Sequence, residues 1–79
     1  MTYTFAVFNG CGTMVDVCHT RTEALSSLCH ALHLNPLTEE GHEAVSYFFK
    51  EFRLQTLTKM SRTGQIHVQG CDVHFLLKG

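Results

Sequence analysis

The sequence has no tryptophan, a single proline (Pro36) and no run of apolar residues near the roughly 18 that a membrane span needs. Nothing in it is therefore expected to cross a membrane. Charge is scarce as well: 16% of the 79 residues are Asp, Glu, Lys or Arg, and the formal net charge is −1. Nucleic-acid binders usually carry a strongly basic balance, so nucleic acid is not expected as a direct ligand. The shortage of charge does not mean disorder, because 44% of the residues are apolar, enough for a packed core. A surface this poor in charge is expected to be partly covered by a partner or a second copy.

Several chemical signatures are also missing. There is no CxxC pair and no zinc-finger spacing. The turn Asn9-Gly10-Cys11-Gly12 is followed by neither the Lys-Ser/Thr of a phosphate loop nor a helix. A chain this short buries only about 60–65% of the surface its unfolded form exposes. That leaves little concave surface for a deep cleft, so an enzyme is not expected. Cys11, in its glycine-flanked turn, is the most accessible thiol, but no base is placed beside it by sequence. Met1 to Phe8 lacks the basic start and apolar run of a secretory signal. The expected compartment is thus the cytoplasm, with Cys11, Cys18, Cys29 and Cys71 as reduced thiols rather than two disulfides.

What is present reads as one α+β domain spanning residues 1–79. Thr2 to Phe8 alternates with a period of two, Asn9 to Gly12 is a turn, and Thr13 to Cys18 returns, which predicts a β-hairpin. Thr20-Arg21-Thr22-Glu23 fits a capping box, and Leu25, Leu28, Cys29 and Leu32 follow as a helical stripe. Asn35-Pro36 is expected to stop that helix. Thr38 caps a second helix, with Glu39, Glu40 and Glu43 in its first turns and Ala44, Val45, Phe48, Phe49 and Phe52 as its apolar face. The threonine-rich stretch Leu54 to Met60 reads as a strand, with an extension of the second helix over residues 53–60 as the alternative. Gln65–Gln69 and Asp72–Leu77 follow as a hairpin around a Gly70-Cys71 loop. The order ββααβββ predicts an antiparallel sheet of four to five strands packed by two helices.

The charges are unevenly spread. Residues 1–49 hold Arg21 against Asp16, Glu23, Glu39, Glu40 and Glu43; residues 50–79 hold Lys50, Arg53, Lys59, Arg62 and Lys78 against Glu51 and Asp72. Two candidate partner surfaces result: Glu39, Glu40, Glu43 and Tyr47 on the second helix, or the basic segment around Lys59 and Arg62. Tyr47 points off the apolar face, and aromatic residues enrich interfaces, whether with a second copy as a homodimer or with another protein. No cofactor is required by any motif. Zinc is the one metal with a geometric case, because a Gly70-Cys71 loop sets His67 directly across from His74, with Cβ atoms about 5 Å apart.

By elimination, the expectation is a small non-enzymatic protein-binding module that blocks a site on a larger protein or complex. Phage and mobile-element inhibitors of host defence proteins are of this size. The alternatives are a nucleic-acid-associated regulator using Lys50, Arg53, Lys59 and Arg62, and a metal-binding domain using the histidine pair.

Overall fold

Period-two alternation at both ends of the chain, with two capped helices between, yields a four-stranded antiparallel sheet with both helices on one face. The computed structural model describes residues 2–78. The elements are β1 (Thr2–Phe8), β2 (Met14–Cys18), α1 (Arg21–Leu32), α2 (Glu39–Arg53), β3 (Thr63–Val68) and β4 (Cys71–Lys78), and the sheet order is β2-β1-β4-β3. The two terminal strands lie side by side at the sheet centre, from Thr2 opposite Lys78 to Phe8 opposite Asp72.

Both helices start where their caps predict. The Thr20 hydroxyl accepts from the Glu23 N–H at 3.1 Å, and the Thr38 hydroxyl accepts from the Gly41 N–H at 3.2 Å. Helix α1 stops at Leu32, before Asn35-Pro36. His33 turns left-handed there (φ 57°), and the Leu34 N–H closes on the Cys29 carbonyl at 2.9 Å. This local cap satisfies the last carbonyls without waiting for the proline.

The inward residues of the sheet meet one stripe of each helix. Phe5, Val7, Ile66, Val68, Cys71, Val73 and Phe75 are buried against Ala24, Leu28, Ala44, Phe48 and Phe52. Phe52 is the hub. Its ring lies 5.0 Å from Tyr3, 5.6 Å from Phe5 and 5.1 Å from Phe75, mostly tilted or edge-on, and stacks on Phe48 at 6.0 Å. Burying each such ring stabilises the fold by about 1.5–3 kcal/mol. The opposite face of the sheet carries Thr2, Thr4, Gln65, His67, Asp72 and His74 and is left to solvent, as antiparallel sheets allow.

Two expectations need correction. The stretch Leu54–Thr58 is not a strand. It prolongs α2 by one π-helical turn, in which the Lys59 N–H donates to the Leu54 carbonyl at 3.0 Å. The Thr56 hydroxyl donates to the Phe52 carbonyl at 2.7 Å, and the Gln55 side-chain amide donates to the Gln65 carbonyl of β3 at 3.2 Å. Threonine's strand preference depends on a sheet surface to pack on; here the hydroxyl serves the helix end instead. The described chain thus has four strands in the order ββααββ, with no fifth.

The second correction is the β3–β4 loop. Val68 pairs with Cys71, so the loop is Gln69-Gly70, not Gly70-Cys71. Both loop residues have positive φ, 50° and 94°, as in the type I′ turn that matches the twist of a hairpin and favours glycine in its second place. In β2, Asp16 faces α1 and Val17 faces outward beside Ala6. Cys18 is buried opposite Phe5, and period two then brings Asp16 to the helix side.

Candidate functional site

Strand and helix directions sort the charges into two ends. At one end β1 begins, β4 finishes, α1 starts and α2 finishes. Arg21 and Arg53 line one groove there together with Tyr3. Lys78 stands opposite Thr2, and the Arg62 carbonyl accepts from the Leu77 N–H at 2.6 Å. Lys50 lies in the last turn of α2, and Lys59 follows the π turn. All six Lys and Arg residues therefore gather at this end, against only Glu23 and Glu51. At the other end, Asp16 pairs with Val7, Asp72 pairs with Phe8, and Glu39, Glu40 and Glu43 open α2. Five carboxylates stand there with no Lys or Arg.

The basic end also exposes apolar surface. Leu57 is 67% exposed and Met60 79% exposed, with Leu54 beside them at 39%. Between the first turn of α1 and the last turns of α2 runs an open groove of about 680 Å³, with Tyr3, Phe49 and Phe52 in its wall and Arg21, Arg53 and Leu57 around it. The Arg21 guanidinium lies 5.8 Å from the centre of the Phe49 ring, within cation–π range. Neither arginine forms an ion pair with a carboxylate among the described residues.

The two candidate partner surfaces lie at opposite ends of α2, and the acidic one divides between two recesses. Glu43 and Tyr47 border a recess with His67 and Gln69, and Glu39 and Glu40 border another with His33 and Asn35. Lys59 and Arg62 lie beyond the opposite end of α2, a helix about 22 Å long at 1.5 Å per residue. Tyr47 is exposed, as its place off the apolar stripe implied. Arg21 and Leu57 are not among the residues that the sequence marks as candidates for binding. The signal for Arg21 was there: it is the one basic residue before position 50, at a helix start where the dipole disfavours a cation.

The hairpin register separates the histidine pair. His67 stands opposite Asp72, and His74 stands opposite Gln65, so the two histidines are diagonal neighbours. His67 Nδ1 bonds Asp72 Oδ1 at 2.8 Å, and the His74 ring packs 4.7 Å from Phe8. Bonds from His67 first and Gln65 second hold the Asp72 carboxyl below its ordinary pKa. Among the described residues no group of three or more His, Cys, Asp or Glu side chains is placed to hold a metal ion.

One further polar cluster joins β2 to α1. The Ser27 hydroxyl donates to Asp16 Oδ2 at 2.5 Å, and the Cys18 thiol donates to the same oxygen at 3.4 Å. These bonds, Ser27's foremost, lower the Asp16 pKa. His30 borders the same recess, but the bonds run from Ser27 straight to the carboxylate, with no imidazole between hydroxyl and acid. The cluster ties β2 to α1. Burial raises the thiol pKa of Cys18, Cys29 and Cys71, which keeps them in the inert protonated form. All four cysteines are free thiols. Comparison with protein-family models, curated proteins and solved structures gave no match.

Proposed function

We propose that this chain is a non-enzymatic binding module that acts by covering a site on a larger protein, with its basic end as the contact surface. The observation that carries this reading is the mixture there: exposed Leu54, Leu57 and Met60 lie among Arg53, Lys59 and Arg62. Exposed apolar side chains next to cations suit a protein surface, where the apolar groups are desolvated and the cations select an acidic rim. A phosphate backbone would use the cations and leave the leucines and methionine in water.

A second reading, a nucleic-acid-associated regulator, draws on the gathering of all six basic residues at one end. Affinity capture from host lysate, with and without nuclease, separates the two. The module predicts a stoichiometric protein that survives nuclease and is lost with Lys59→Glu/Arg62→Glu, while Glu39→Lys/Glu40→Lys/Glu43→Lys still captures it. Loss only with the glutamate substitutions would move the contact to the acidic end. Capture abolished by nuclease, with binding falling steeply as salt rises, would favour the regulator.

A further inference from the structure

The groove at the basic end has a composition that specifies its occupant more closely. Its wall is aromatic, from Tyr3, Phe49 and Phe52, and its rim carries two guanidiniums, Arg21 and Arg53, with the exposed Leu57 beside them. Arg21 is not placed for the benefit of α1, since a cation in a first turn opposes the helix dipole. It is held over the Phe49 ring at 5.8 Å, a cation–π distance that leaves its N–H donors available to a carboxylate. Neither Arg21 nor Arg53 has a carboxylate partner among the described residues. Glu23, the one acid in the first turn of α1, is instead engaged by the Thr20 hydroxyl at 3.1 Å.

We infer that this groove binds an acidic peptide segment carrying one large apolar or aromatic anchor: the anchor seats against Phe49, Phe52 and Tyr3, and flanking carboxylates pair with Arg21 and Arg53. The inference rests on the protein-binding reading above and names the chemistry of the partner's contact segment. Bidentate arginine–carboxylate pairs supply orientation, and the aromatic wall supplies the desolvated centre around which binding energy concentrates. A segment with carboxylates but no anchor would leave the wall in water; one with an anchor but no carboxylates would leave two guanidiniums unanswered.

The test uses the full chain and three fluorescein-labelled probes read by anisotropy: a peptide with a central Phe flanked by Asp and Glu, the same peptide with Ala for Phe, and single-stranded DNA of equal charge. The Phe peptide is expected to bind, with affinity falling at least about tenfold for the Ala peptide, for Arg21→Glu and for Arg53→Glu. Arg21→Gln and Arg53→Gln should give smaller losses in the same order, and circular dichroism should find every variant folded, since both side chains are exposed. Absence of peptide binding, equal binding by the variants, or tighter binding of DNA than of the Phe peptide would each overturn the groove assignment. The lysate capture keeps the two readings apart. A partner still captured by Arg21→Glu/Arg53→Glu but lost with Lys59→Glu/Arg62→Glu overturns the groove and leaves the module standing. Nuclease-sensitive capture overturns both.

Discussion

His33 occupies a backbone conformation made for glycine, and that position tests how α1 ends. With φ 57° and ψ 37° it is the left-handed residue after the helix, where a Cβ is disfavoured by about 1–2 kcal/mol. Its side chain is exposed and contributes nothing to the core. His33→Gly is therefore expected to raise the unfolding free energy by about 0.5–1 kcal/mol, read as a higher urea midpoint. An unchanged midpoint would mean the cap strain is relieved elsewhere. Gly41 gives the opposite expectation. A Cβ there would run into the Asn35 carbonyl and lie 2.8 Å from the Pro36 Cα. Alanine is the better helix former, yet Gly41→Ala should destabilise by about 1–3 kcal/mol, because backbone has nowhere to move without opening the loop between the helices. Acid behaviour is set at the same scale by Asp16 and Asp72, whose folded pKa values lie below the ordinary 3.8. The unfolded chain binds their protons more readily, so their contribution is fully present above that value and is lost as pH falls through the folded values. In urea titrations across acid pH, Asp16→Asn and Asp72→Asn should each flatten the fall in stability below about pH 4. A fall as steep as in the parent chain would assign acid sensitivity to other carboxylates.

At the scale of elements, the strands, caps and helical stripes were legible because each has a local cause. Thr20 and Thr38 bond the N–H groups that the capping pattern assigns to them, and Phe48 and Phe52 are buried as the helical period requires. The β3–β4 register was not legible from periodicity. Opposing Ile66 to Phe75, as a Gly70-Cys71 loop does, or to Val73, as observed, leaves every side chain on the same face. Turn chemistry decides between them, and the only residue of the loop that adopts positive φ easily, Gly70, stands second in the observed turn. Placing Asn in the first position completes the most favoured type I′ pair, so Gln69→Asn should stabilise the hairpin by about 0.5 kcal/mol. Slower amide exchange across β3 and β4 would register it; faster exchange would mean the turn is not type I′ in solution. Leu54 to Thr58 was illegible for another reason. Its composition favours a strand, but a strand needs a neighbour, and the edge of β3 is instead met by the Gln55 side chain reaching from the π turn. Tertiary context outweighed local preference at the one segment with no cap or stop signal of its own.

For the whole molecule, the split of charge along the chain becomes a sharper split in space. Arg21, the lone cation of the first 49 residues, is carried to the basic end by the crossover from β2 to α1, and Asp72 is carried to the acidic end by the hairpin that starts β4. The candidate site was half legible for this reason. Lys59 and Arg62 could be named from local charge, whereas the groove that joins Arg21 to Arg53 exists only once α1 and α2 lie antiparallel. The longest dimension is 32 Å, about three times the screening length of roughly 10 Å at 0.1 M salt. The two ends therefore act on their surroundings independently, and the net charge of −1 describes neither. A nearly neutral protein with evenly mixed charge should pass a cation exchanger near pH 7. This one is expected to be retained at low salt on cation- and anion-exchange resins alike, each resin gripping the end of opposite sign. Lys59→Glu/Arg62→Glu should abolish retention on the cation exchanger while strengthening it on the anion exchanger. Glu39→Lys/Glu40→Lys/Glu43→Lys should do the reverse. Retention of the parent chain on the anion exchanger alone would mean that net charge rather than its arrangement governs the surface, and the basic end would then lack the field needed to steer an acidic partner onto the groove.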